Sequence, residues 1–119
     1  MKSIVCIIEP CSSERDRLKE ILISMCDQVK TFDSAESFLA QCASMQQGCV
    51  ITAATSPGMS ALELLHRLKG DRKTVRVIVL GEDSKMPLAV SLMRAGATDF
   101  IEKPFTNHNL RKAVRRAIT

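Results

Sequence analysis

The chain has 119 residues, 45% of them hydrophobic and only 3% aromatic, enough for one aliphatic core and too few for a second domain. Its net charge of +4 is mild, comes largely from "RKAVRRA" near the C-terminus, and reads as the solvated face of a helix. No apolar run approaches the ~20 residues that cross a bilayer. Glu9-Pro10 interrupts the first apolar run well short of a signal-peptide core, so the expected location is the cytoplasm. The five cysteines, Cys6, Cys11, Cys26, Cys42 and Cys49, are odd in number and lack C-x-x-C or Cys/His spacing. That pattern predicts free thiols and neither a disulfide framework nor a zinc site.

In chain order, "SIVCII" at 3–8 is a near-continuous β-branched run of strand length. A helix is predicted over 13–25, with Leu18, Ile21, Leu22 and Met25 on one face and Ser12 or Ser13 capping its first turn. "QVKTF" at 28–32 has the composition of an edge strand. "D-S-A-E" at 33–36 is a capping-box-like start for a second helix that turns Phe38, Leu39 and Cys42 inward. "CVITA" at 49–53 and "VRVIVL" at 75–80 are further buried strands. Between them Ser60 precedes "ALELLHRLKG", a third helix closed by Gly70. Pro87 fits the first turn of a fourth helix ending near Gly96. "ATDFI" at 97–101 is a fifth strand, and Thr106 caps a fifth helix with Leu110, Ala113, Val114, Ala117 and Ile118 as its apolar stripe.

Strand and helix thus alternate five times, which predicts an α/β domain over residues 1–119. Its architecture is a (βα)5, doubly wound, parallel five-stranded sheet with helices on both faces and the flavodoxin-like strand order 2-1-3-4-5. In such a sheet ligands gather at the carboxyl ends of the strands. Glu9, Ala53, Gly81 and the Glu102-Lys103 neighbourhood are therefore expected to converge.

Over essentially its whole length the sequence resembles the receiver domains of two-component response regulators, CheY-like in fold and particularly those of the FixJ-type group. The resemblance is carried by "S-P-G-M-S-A-L-E-L-L" and "M-P-L-A-V-S-L-M-R-A-G-A-T-D-F-I-E-K-P-F". It implies a phospho-acceptor aspartate at the end of the third strand, a metal-binding acidic pair after the first, a Thr or Ser ending the fourth, and a Lys-Pro after the fifth. Here those positions fall on Ala53, on Glu9-Pro10, on Gly81, and on Lys103-Pro104, of which only the last matches. The resemblance also marks Phe100 as the switch aromatic and suggests a cis bond before Pro104.

An acyl phosphate needs a carboxylate oxygen as nucleophile, and the methyl group of Ala53 offers none. Mg²⁺ is anchored by carboxylates, and Glu9 followed by Pro10 supplies one, so metal binding is expected to be weak or absent. The resulting expectation is a pseudo-receiver with no enzymatic activity and no cofactor. It would serve signal transduction or transcriptional control as an interaction or dimerisation module. The resemblance places its contact face on the fourth helix, fifth strand and fifth helix, with Val90, Ser91, Arg94, Ile101, Arg111 and Arg115 as candidates. Nucleic acid would be met only through a separate output domain, this chain being the N-terminal part of a longer regulator; no helix-turn-helix pattern accompanies "RKAVRRA". Two alternatives remain: phosphorylation by a Ser/Thr kinase at Thr52, Thr55 or Ser56, and reuse of the cleft by a small ligand or reaction with Lys103 as amine, Glu9 as base or Cys11 as thiol. Lys103 paired with Glu9 is the plainer reading of those two charges.

Overall fold

Residues of the three strongest apolar runs are buried alternately against two separate layers of helices, so each run is a strand with no solvent face. In the computed structural model, which describes residues 3–42, 47–54, 58–70, 74–82 and 86–118, the strands are β1 (Ile4–Ile8), β2 (Gln28–Phe32), β3 (Gln47–Ala53), β4 (Thr74–Glu82) and β5 (Asp99–Lys103). They form one sheet in the order β2-β1-β3-β4-β5, all neighbours parallel, as the alternation of elements predicts. The helices are α1 (Ser12–Leu22), α2 (Ala35–Gln41), α3 (Ala61–Gly70), α4 (Met86–Arg94) and α5 (Asn107–Ile118).

One face of the sheet presents Cys6, Ile8, Val50, Val77 and Val79 to Phe38 of α2, to Leu64, Leu65 and Leu68 of α3, and to Leu92 of α4. The other presents Val5, Ile7, Ile51, Ile78 and Leu80 to Leu18, Ile21 and Leu22 of α1 and to Leu110 and Val114 of α5. Right-handed crossovers around a parallel sheet require this split. Phe32, at the end of edge strand β2, meets Phe38 edge to face with ring centroids 5.6 Å apart, a favoured aromatic geometry.

Several boundaries differ from the sequence reading, each for a local reason. The first helix ends at Leu22 rather than Met25: Met25 N–H donates to the Leu22 carbonyl and closes a turn. Its N-cap is Cys11, not Ser12 or Ser13. The second helix is capped one residue later than the D-S-A-E pattern suggests, because the Ser34 hydroxyl accepts from Ser37 N–H at 3.0 Å. Gly70 lies within the last turn of α3, not beyond it. The fifth strand begins two residues late, since Ala97 N–H donates to the Leu92 carbonyl and ties Ala97 to the end of α4. Thr106 caps as expected, accepting from Asn109 N–H at 3.0 Å, and Ser60, which precedes α3, likewise accepts from Glu63 N–H at 3.2 Å.

Phe38 is 1% exposed, so Phe38→Ala should cost about 3–5 kcal/mol in urea unfolding. Ser34→Ala, which removes only a cap, should cost about 1 kcal/mol. Equal losses from the two would contradict the packing described.

Candidate functional site

Parallel registration carries the strand ends to a common edge: Ile8 pairs with Thr52, Ala53 with Leu80, and Gly81 with Glu102. Glu9 follows β1 at that edge and is 7% exposed. Its Oε1 accepts the Cys11 N–H at 3.2 Å, while its backbone N–H donates to the Phe32 carbonyl at 3.0 Å. Arg15, one turn into α1, folds back so that Nη1 donates to the Glu9 carbonyl at 2.7 Å and the Pro10 carbonyl at 3.2 Å. A guanidinium therefore already sits on the oxygens at the end of β1.

At the end of β3 the side chains shrink. Ala53 and Ala54 are both buried, and Ala54 N–H donates to the Leu80 carbonyl at 2.8 Å. Gly81, the penultimate residue of β4, is also buried, and the ring of Phe100 on β5 fills the space where its side chain would stand. The rim between β1, β3 and β4 is thus made of one carboxylate, two methyl groups and a hydrogen.

Lys103 ends β5, and the bond joining it to Pro104 is cis, as the family resemblance implies. It lines a groove of about 440 Å³ with Glu14, Arg17, Pro104 and Phe105, in which the Arg17 guanidinium lies 5.6 Å from the centre of the Phe105 ring. No ion pair joins Lys103 to Glu9 among the described residues; the ion pair in this region is Arg17 with Glu14 at 3.5 Å. The pairing read from the sequence is therefore replaced by two separate environments, with Glu9 on its own loop and Lys103 facing α1.

The model of the family described as "Response regulator receiver domain" matches residues 5–115. The chain belongs to that family. This receiver domain is 33% identical over 117 residues to the transcriptional regulatory protein FixJ of Bradyrhizobium diazoefficiens, a match covering 98% of the chain and 57% of FixJ. It is 40% identical over 89 residues to FixJ of Rhizobium meliloti, covering 75% and 44%. Among solved structures it superposes on the crystal structure of FixJ-N with a TM-score of 0.90 at 35% identity, covering 98% of this chain and 94% of that one. Full-length FixJ from B. japonicum gives a TM-score of 0.90 at 33% identity, covering 99% and 58%. The chain spans about half the length of the curated relatives it matches. It is a receiver domain of two-component signal transduction, and these relatives are named as regulators rather than enzymes.

The other candidate residues of the receiver domain are placed as follows. Thr52 is 3% exposed and its hydroxyl donates to the Ala53 carbonyl at 3.2 Å; Thr55 and Ser56 lie outside the described residues. Val90, Ser91 and Arg94 are exposed on α4, Ile101 is half-buried on edge strand β5, and Arg115 is exposed on α5. Arg111 is drawn off that surface, because its Nε donates to the Ile21 carbonyl of α1 at 3.4 Å. Met93 is 45% exposed beside Val90 at 44%, and the sequence reading did not single it out. Among the described residues no helix is long and apolar enough to cross a membrane.

Of the three groups offered for reuse of the cleft, Glu9 accepts the Cys11 backbone N–H and Lys103 lines the groove beside α1. Cys11 is exposed, and its Sγ lies 3.1 Å from the Ser13 Oγ. Ser13's hydroxyl, then the N–H groups at the start of α1, hold its thiol below the ordinary range. Burial, then the neighbouring Cys42, pushes Cys6 up to about 12, and burial does the same to Cys49. Thiolate is the reactive form, so in the folded protein Cys11 should be alkylated fastest, with a pH midpoint below that of a free cysteine. Cys6 and Cys49 should stay unmodified until denaturant is added. Mass spectrometry of iodoacetamide-treated protein across pH 6 to 9 measures this, in a range spanning the ordinary thiol value less about two units; equal labelling of Cys11 and Cys49 would contradict it.

Proposed function

We propose that this receiver domain works without phosphotransfer, as a protein-interaction module within a transcriptional regulator. It self-associates through the surface made by α4, β5 and α5. The observation that carries the reading is the buried methyl group of Ala53 at the end of β3, 7% exposed, where the family resemblance calls for a carboxylate nucleophile. With no lone pair there, neither a histidine kinase nor a small phosphodonor has an acceptor at this position.

The donors present do not fit Mg²⁺. The ion needs near-octahedral oxygen ligands, usually including one or two carboxylates. Glu9 is one, already engaged by the Cys11 N–H, and the Arg15 guanidinium holds the adjacent carbonyls. No group of three His, Cys, Asp or Glu that could hold a metal occurs among the described residues. A cationic side chain in place of a cationic ligand leaves the pocket's charge set by the sequence itself.

The proposed contact surface is apolar at its centre and charged at its edges, the usual anatomy of an interface. Ala89, Val90, Met93 and Arg94 line a shallow depression of about 430 Å³ on α4. Arg94 and Arg115 stand on the helices, and Glu102 is exposed on β5 between them. In a two-fold dimer each basic residue of one copy can meet the acidic strand of the other. A second copy therefore fits the charge pattern better than an acidic or a basic partner does.

Light scattering over a concentration series tests this. The expected result is a dimer whose affinity is unchanged by acetyl phosphate with Mg²⁺ and falls by roughly tenfold or more in Met93→Glu with Arg94→Glu, a loss of about 1.4 kcal/mol or more. A monomer at every concentration, or a dimer seen only with acetyl phosphate, would refute the proposal. Ala53→Asp alone should gain little phosphoryl mass from acetyl phosphate, because Pro10 and Gly81 still supply no side-chain oxygen. Stoichiometric uptake by that variant would show that the accessory groups matter less than argued.

A further inference from the structure

Gly81 is buried in β4, yet its backbone does not lie in the left-handed region, so conformation alone does not call for glycine there. The requirement is space. A Cβ built on Gly81 would stand 2.7 Å from Cζ and 3.0 Å from Cε2 of Phe100, and 3.0 Å from the Cβ of Ala54. Phe100 pairs in register with Val79, so its ring leans two positions along the neighbouring strand to cover Gly81. It packs against the core cluster on that face of the sheet, which includes Ala54, Val79 and Leu92 of α4.

We infer that Gly81 and Phe100 form an interlock that keeps the ring seated permanently and fixes the surface of α4 and β5 in one arrangement. The consequence for partner binding rests on the interaction reading above: the dimer surface needs no ligand to form it. The reason is volumetric. If the ring swung out, its packing over Gly81 and beside Ala54, residues that carry no atoms beyond Cα and Cβ, would be lost. A two-state switch needs a second arrangement close in free energy to the first, and the loss of this packing separates the two. The ring packs on the same cluster that holds Ala54, Val79 and Leu92 of α4, so its position and the seat of α4 draw on one shared set of contacts.

The experiment is a double-mutant cycle on the whole chain, using Gly81→Ala and Phe100→Ala, read by thermal unfolding. With the ring present, the added methyl collides with it, and Gly81→Ala should lower Tm by roughly 5 °C. With the ring removed, the same methyl enters open space and should lower Tm by less than about 2 °C. Equal shifts in the two backgrounds would overturn the interlock. If Phe100→Ala fails to fold, Phe100→Leu, which has no atom at the Cζ position, replaces it in the cycle. Alongside, an NMR cross-peak between the Phe100 ring and the Ala54 methyl is expected in the parent and absent in Gly81→Thr; its absence from the parent would also overturn the inference. Light scattering on Gly81→Ala completes the test. Weakened self-association supports the link between ring and surface, whereas unchanged self-association refutes that link. If the parent chain itself never associates, the interaction reading fails while the cycle still decides the interlock.

Discussion

The parallel direction of five strands is the constraint on which everything else in this protein depends. Because each strand returns in the same direction, their carboxyl ends lie on one edge of the sheet. Whatever residues the sequence places there become neighbours regardless of their separation along the chain. In this receiver domain they are a carboxylate that already accepts a backbone N–H, two alanines, a glycine covered by a phenyl ring, and a lysine turned toward α1. The scaffold delivers a cleft, and the side chains delivered to it are mostly hydrocarbon.

That combination separates fold from chemistry. Burial of Ile, Leu and Val on both sides of the sheet is indifferent to whether residue 53 is acidic, so the fold does not depend on the side chain at that position. The polar groups that remain are satisfied internally. Arg15 bonds the carbonyls after β1, and Thr52 bonds the Ala53 carbonyl; among the described residues no buried side-chain polar atom lacks a partner. A site prepared for a charged ligand usually retains unspent donors or acceptors, and this edge retains few.

Legibility in the sequence followed the physics of each feature. β1, β3 and β4 were readable because both of their faces are covered, which makes them continuous apolar runs; α5 was readable from one clean stripe ending at Ile118. Boundaries were less readable where a local hydrogen bond decides them, as with Ala97 on Leu92 and Ser34 on Ser37. The strand ends at Glu9, Ala53 and Gly81 followed from topology alone. Arg15 did not, because a long cation on a helix gives no sign that it will fold back onto two carbonyls. The seat of Phe100 over Gly81 was equally hidden: strand alternation fixes which face a ring occupies, but not how far it leans toward the next residue pair. The proposed Glu9–Lys103 pairing assumed that two charges at one edge must meet, whereas the register and the turn after β5 send Lys103 to the groove beside α1.

The central claim is that the edge formed by Glu9, Ala53, Gly81 and Lys103 is chemically closed to magnesium and to a phosphoryl group. The most direct measurement is a ¹H–¹⁵N correlation spectrum of the isotopically labelled protein, recorded first with Mg²⁺ and then with beryllofluoride added. The amides of residues 9, 53, 81 and 103 are predicted to hold their positions through both additions. Saturable, Mg²⁺-dependent shifts at those four amides, spreading to α4 on addition of beryllofluoride, would contradict the account.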